Sequence, residues 1–441
     1  MNPQLNMNRS ILLILFSIFY SVVSFSQFSP GYYALKDVSV IDGISKNVMS
    51  HYTIIIRNKY IEAVGPGKEI VIPDSAVIFN YPGKYVMPGL IDTHVHLATD
   101  PSNVDNRIRA EKDLKDMLLS GITSVRDMAG DARALASLSR DAELDEIISP
   151  DIYYAALMAG PAFFKDPRTH QTTQGGIAGG MPYMKAVTDS TDLRVAVAEA
   201  KGSGATAIKL YAELSGGLAK KITEEAHRQN LLVWSHANLD YATALEVINA
   251  GVNSISHASM ISGWNSRNIP LEYLRPGLPD SFWDSVFRTL PVAELIKAMQ
   301  KNKTILDATI LTFKEAGTDP SLPDNRRQAW FAMYEIGKRF TILAHEKGVP
   351  ICTGTDLDEK KFVQREIKLL VKECDFTPME ALISATANGA RAIGIEKTTG
   401  TIQPGKIADL VLLSANPAKD IENLDKVEMV IKNGKIFDKN K

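Results

Sequence analysis

The feature that most constrains the fold is an alternation of short apolar strands with helical patterns, repeated through the middle of the chain. Strand patterns fall at residues 91–97, 122–127, 152–157, 207–211, 231–236, 254–259, 304–310 and 349–355. Helical patterns separate many of them, at 108–119, 193–202, 218–229, 241–250, 292–301, 326–347 and 363–374. Eight strands with intervening helices over roughly 300 residues predict an α/β fold, a (β/α)8 TIM-like barrel of parallel strands. An open doubly wound sheet would favour a glycine-rich phosphate turn after its first strand. Here the Gly175-Gly176 and Gly179-Gly180 pairs follow the third strand and match no such fingerprint.

The two ends of the chain have a different texture. Segments 32–41, 52–57, 60–64 and 76–80 are short, rich in Val, Ile and Tyr, and separated by Gly, Pro and Asp. Segments 408–413, 427–432 and 435–437 repeat the pattern around the tight-turn dipeptide Asn433-Gly434. They predict a small β-sandwich domain built from both chain ends, residues 27–86 and 396–441, around a barrel at 87–395. Residues 1–26 read as a signal peptide. Arg9 is their one charge, residues 11–25 form a mostly apolar run, and Ser24-Phe25-Ser26 offers small residues for cleavage. That run is short for the roughly 20 residues of a membrane span. The expectation is an exported protein, periplasmic or secreted, with no membrane span in its mature chain; an uncleaved anchor is the alternative.

Composition narrows the chemistry. Lys plus Arg number 49 against 51 Asp plus Glu, a net charge of −2 that gives no footprint for nucleic acid and no polybasic case for a membrane. Two cysteines exclude a disulfide scaffold and a Cys-rich zinc module. Cys352 and Cys374 each lie in apolar stretches and are expected to be buried free thiols.

His94-Val95-His96 ends the first barrel strand, and residues two apart on a strand share a face, so both imidazoles can converge on one point. His236 closes the fifth strand and His257 the sixth. Four of the eight histidines therefore lie at the strand ends where barrel enzymes carry their sites. Metal coordination explains them together; a polar barrel mouth must explain each separately. Asp356, in Thr353-Gly354-Thr355-Asp356, closes the eighth strand and can ligate metal or move a proton. Asp127, at the end of the second strand, competes for that role or serves as a structural cap. Lys209 alternates with apolar neighbours in Ala207-Ile208-Lys209-Leu210-Tyr211, and an unpaired interior ammonium is costly. An ion pair with a carboxylate is its simplest account.

Residues 86–96, Val-Met-Pro-Gly-Leu-Ile-Asp-Thr-His-Val-His, resemble the opening strand of the amidohydrolase superfamily. The order HxH, Lys, His, His, Asp resembles that superfamily's metal site. Thr377-Pro378-Met379-Glu380-Ala381 and residues 400–410, Gly-Thr-Ile-Gln-Pro-Gly-Lys-Ile-Ala-Asp-Leu, add to the likeness, which covers nearly the whole mature chain. The resemblance implies a metal-dependent hydrolase with two divalent ions, expected to be zinc, bridged by a carboxylated Lys209. By the same resemblance His94, His96 and Asp356 hold one ion, and His236 and His257 the other. A shared hydroxide then attacks an amide carbonyl, and Asp356 carries the proton to the leaving nitrogen.

Lys209-Leu210-Tyr211 resembles the branch containing Xaa-Pro and Xaa-Arg dipeptidases, ochratoxin-type amidases and imidazolonepropionase relatives, which places Tyr211 beside the metals as a substrate contact. Two departures put dipeptide cleavage in doubt. Residues 158–164, Met-Ala-Gly-Pro-Ala-Phe-Phe, stand where such members often carry Gly-Gly-His, and residues 357–361, Leu-Asp-Glu-Lys-Lys, replace a His-Gly segment. His170, with Arg168, lies in the long third loop and is a second candidate to contact substrate; a solvated loop is the alternative. The insertion 263–286, with Trp264, Tyr273, Phe282 and Trp283, is either a wall over the site or a cover for barrel helices. The expected activity is hydrolysis of a C–N amide bond in an N-acyl amino acid, a dipeptide or a cyclic amide, by a chain compatible with a homo-oligomer. A mononuclear deaminase of the same superfamily is the nearest rival, but the position three after His236 is Leu239 where such enzymes place a Glu. A non-catalytic barrel that binds small molecules is a further alternative. A glycosidase carboxylate pair would leave the four histidines unexplained.

Overall fold

The computed structural model describes residues 27–28, 31–99, 106–264, 269–356 and 363–438. The proposed leader, 1–26, lies outside the described residues, as does 357–361.

Eight parallel strands form the barrel: Leu90–Val95, Ile122–Asp127, Asp151–Ala159, Ala207–Leu210, Leu232–His236, Ser254–Ser256, Ile305–Asp307 and Ile351–Cys352. Each pairs in parallel with the next. The ring closes through single backbone bonds: Thr93 N donates to Thr353 O, and Asp356 N donates to His94 O, both at 2.9 Å. Gly354 permits this seam. A Cβ there would stand 2.4 Å from His94 Cβ and 2.9 Å from both His94 N and Asp307 Oδ1.

All eight predicted strands are present, but three end three residues short of their predicted ranges. The sixth stops at Ser256, and Ala258–Met260 forms a 3-10 turn. That turn is pressed against the helix Asp324–Glu346, where Gly337 leaves room; a Cβ there would meet Ser259 Oγ at 2.2 Å. The seventh stops at Asp307 because Thr309 adopts a left-handed backbone and Ile310 begins the helix Ile310–Thr318. The eighth is two residues long. A short apolar run cannot by periodicity tell a strand from the start of a buried helix.

Strands from both chain ends make a nine-stranded sheet. Its order is Gln27–Phe28, Lys435–Asp438, Val427–Lys432, Leu410–Leu413, Tyr85–Pro88, Tyr32–Val40, Met49–Arg57 and Tyr60–Pro66, with Val77–Asn80 beside Tyr32–Val40. Alternate residues such as Leu35, Ile54, Ile56, Leu410, Leu412 and Ile431 pack into a core of its own. Val430 and Phe437 face the other way, onto Leu118 and Leu119 at the barrel. Lys432 crosses the same junction; its buried ammonium pairs with Asp151 at 2.7 Å and Asp409 at 3.2 Å.

The insertion after the sixth strand is partly helical, with Asp280–Phe287 as its helix. Among its described residues, Tyr273, Phe282 and Trp283 pack edge-to-face, and Trp264 tilts against Tyr273 at 5.1 Å between ring centroids. Arg339, on the long helix Asp324–Glu346, holds the insertion through Asp280 and Asp284 at 2.9 and 2.8 Å. Cys352 and Cys374 are buried and unpaired. Among the described residues no helix is long and apolar enough to cross a membrane.

Because the Gly354 seam has no space for a methyl group, Gly354→Ala is expected to destabilise the fold by about 1–3 kcal/mol. A denaturant titration that finds the variant as stable as the parent would show that the seam can spread.

Candidate metal centre

At the C-terminal mouth of the barrel four imidazoles form a chain. Ring centroids are 5.4 Å apart for His94 and His96, 4.9 Å for His94 and His257, and 4.8 Å for His236 and His257. Asp356 lies against three of them. Its Oδ1 is 3.2 Å from His96 Nε2 and 3.6 Å from His94 Nε2, and its Oδ2 is 3.7 Å from His257 Nδ1. Ligand atoms of His94, His257 and Asp356 all lie within 4.8 Å of one another, a donor set of the kind that holds a divalent ion.

Ligation needs neutral imidazole and ionised carboxylate, and His94, His236, His257 and Asp356 meet that need. Burial pushes His94 down to about 4, His257 down to about 3 and His236 well below its ordinary value. Burial also acts upward on Asp356, but His94, His96 and His257 outweigh it and hold the carboxyl well below its usual range. On His96 burial acts downward and the bond to Asp356 more than offsets it, so that its pKa rises.

Lys209 sits in the fourth strand, 2% exposed. Among the described residues no carboxylate comes within 4.0 Å of its nitrogen, so the ion pair that would most simply explain it is not seen. Its ammonium faces the Tyr211 ring at 5.7 Å. Burial pushes its pKa down to about 8, so the neutral amine is accessible near physiological pH.

Three of the four imidazoles are oriented by a partner that sequence patterns did not single out. Asp307 Oδ2 lies 2.8 Å from His94 Nδ1, which directs Nε2 toward Asp356. The same carboxylate accepts Arg126 Nη2 at 2.8 Å, Ser256 Oγ at 2.7 Å and Thr93 Oγ1 at 3.0 Å. Burial alone would raise the Asp307 carboxyl; Arg126 and His94 reverse that and keep it ionised. The Asn238 carbonyl lies 3.0 Å from His236 Nδ1, while its amide donates to Gly263 O at 2.9 Å, tying this ligand to the start of the insertion. Thr309 Oγ1 stands 2.6 Å from His257 Nδ1. Asp127 is turned aside: its Oδ2 accepts Leu97 N at 2.6 Å, and its buried Oδ1 has no hydrogen-bond partner among the described residues.

Aromatic rings flank the centre. Tyr211 meets His236 at 5.0 Å and Phe163, from the third loop, at 4.9 Å; Phe313 meets His257 at 5.7 Å. Burial raises the pKa of the Tyr211 phenol, Arg168 opposes that rise in part, and the Arg168 guanidinium is held by Asp166 at 2.7 Å. His170 is exposed on the same short helix, Pro167–Gln171, and the electrostatic influence on Tyr211 comes from Arg168, two residues earlier.

Comparison with known proteins matches residues 85–437 to the model of the Amidohydrolase family. Ochratoxinase of Aspergillus niger is 26% identical over 398 residues, covering 80% of this chain and 75% of that protein. Imidazolonepropionase of Pyrobaculum arsenaticum is 34% identical over 141 residues, 31% of this chain and 30% of that one. Among solved structures, a Xaa-Pro dipeptidase with methionine bound in its active site superposes with a TM-score of 0.74 at 24% identity, covering 92% of this chain and all (100%) of that one.

Asp307→Asn would leave the Arg126 guanidinium buried without a counter-charge. The expected cost is about 3–5 kcal/mol of stability, read as a lower denaturant midpoint at neutral pH. A midpoint equal to the parent's would mean that the pair does not hold the barrel interior.

Proposed function

The chain belongs to the amidohydrolase family, and on that premise we propose that it is an exported, binuclear metal-dependent hydrolase that cleaves a C–N amide bond in a small molecule. One observation carries this reading: three ligand groups converge within 4.8 Å beside a buried lysine that has no carboxylate partner among the described residues. In this reading His94, His96 and Asp356 would hold one ion, His236 and His257 the second, and a carboxylated Lys209 would serve both. The unprotonated Lys209 amine would add carbon dioxide and release a proton, exchanging a costly buried ammonium for an anion that bound cations would offset. Divalent ions in this site, zinc in the first instance, supply charge that polarises a carbonyl and acidifies water.

The remaining work falls to side chains. Asp356, kept ionised beside three imidazoles, receives the proton of the attacking water and delivers it to the leaving nitrogen. Tyr211 and Phe163 form an apolar, partly polar-tipped wall, and Arg168 brings a cation to its edge. Such a wall suits an N-acyl amino acid, a dipeptide or a cyclic amide. The names of the relatives point the same way: one is an ochratoxinase, another a dipeptidase with an amino acid in its site. Export rests on the composition of residues 1–26.

Metal analysis of protein produced with zinc and bicarbonate, combined with a panel of the three substrate classes, tests the reading. Two ions per chain are expected, falling in Lys209→Ala. Asp356→Asn should lose turnover by about 10²–10⁴-fold, the usual contribution of a positioned proton carrier. Fewer than one ion per chain would overturn the two-metal reading, and unchanged metal in Lys209→Ala would remove the bridge.

A further inference from the structure

His257 lies one residue beyond its strand, as His96 does, whereas His94 and His236 lie within theirs. The sixth strand ends one residue before it, at Ser256, so the strand ladder does not set its position. Two contacts from the exit of the seventh strand do so instead. Ala258 N donates to Ala308 O at 3.1 Å, and the Thr309 hydroxyl meets His257 Nδ1 at 2.6 Å.

Thr309 is itself in an unfavourable conformation, with φ 44° and ψ 39°. A left-handed backbone is a true outlier for a β-branched residue, and such strain persists only where the surroundings over-determine it. Glu366, buried on the helix Gln364–Glu373, supplies that determination. Its two carboxylate oxygens accept the next two backbone N–H groups, Ile310 N at 3.0 Å and Leu311 N at 2.8 Å. These are the first N–H groups of the helix Ile310–Thr318, which have no partner within the helix. Glycine would adopt the same backbone freely, yet it would bring no hydroxyl to His257.

We propose that Thr309 and Glu366 are positioning residues for metal binding: Glu366 clamps the start of the helix, the clamp holds Thr309 left-handed, and the Thr309 hydroxyl fixes the ring of His257. This rests on the reading of His257 as a metal ligand. The strain at Thr309 is then the cost of presenting a hydroxyl where the chain turns from strand to helix.

Zinc affinity of the metal-free full-length chain, measured by competition with a chromophoric chelator, tests the relay without any substrate. Thr309→Val and Thr309→Gly should each weaken zinc binding by about 10- to 100-fold, the usual effect of removing a partner of a ligating histidine. Thr309→Ser should restore parental affinity. Thr309→Gly should also keep the melting temperature of the metal-free protein close to the parent's, because it relieves the left-handed strain; a merely structural role would lower both together. Glu366→Gln, which still offers an acceptor, should bind zinc better than Glu366→Ala. Parental affinity in Thr309→Val and Thr309→Gly, alongside loss in His257→Ala, would overturn the relay and leave the metal site standing. Parental affinity in His257→Ala would overturn the ligand assignment and the relay with it.

Discussion

The guanidinium of Arg126 and the carboxylate of Asp307 meet at 2.8 Å inside the barrel, and neither side chain is exposed. Removing two charges from water costs several kcal/mol each, and attraction offsets that only when the remaining donors and acceptors are also satisfied. Here most are. Arg126 bonds the Thr93 carbonyl, donates to Ser254 Oγ at 2.8 Å and lies over the Trp234 ring, while Asp307 takes in Ser256, Thr93 and His94. One pair thereby draws on the first, second, fifth, sixth and seventh strands. Since His94 is among its partners, the interaction that fills the barrel interior also orients a proposed metal ligand.

The rest of the mouth is built by departures from regular structure. Asp356 reaches its three imidazoles from a left-handed backbone, φ 46°, two residues past Gly354, which lets the exit of the eighth strand close on the first. Thr309 is left-handed where the seventh strand gives way to a helix. His257 begins a 3-10 turn seated on Gly337 of a neighbouring helix. A strand alone presents side chains only at alternate positions on a fixed pleat. Bringing four imidazoles and a carboxylate within a few ångströms takes these bends, each held by a buried hydrogen bond or by a missing Cβ.

Lys209 shows how burial and function connect. Its neighbours Ala207, Ile208 and Leu210 are core residues, and its own chain is buried with them. Low polarity favours the neutral amine, and a neutral amine is the form able to take up carbon dioxide. The aromatic neighbours Tyr211, Phe163 and Phe313 extend the same environment over the site, where charge interactions strengthen as water is excluded.

By itself the sequence determined the architecture, because hydrophobic periodicity is local. Alternating strands and helices imply a barrel, β-rich ends imply a sheet shared between the termini, and His94, His96, His236 and His257 fall at or near strand ends. The i, i+2 spacing of His94 and His96 already brought two rings to one face. The tertiary structure decided the partners. Asp307 lies 213 residues from His94 in the chain, and Arg126 lies 181 from Asp307. Asp307 lies inside the apolar run 304–310, and nothing in its neighbours marks it as a buried counter-charge. Phe163 comes to Tyr211 through loop packing, and Thr309 comes to His257 through a strand that stops short of its apolar run. Such contacts depend on barrel closure and on the shape of the loops, which follow from packing in three dimensions and leave no periodic trace along the chain.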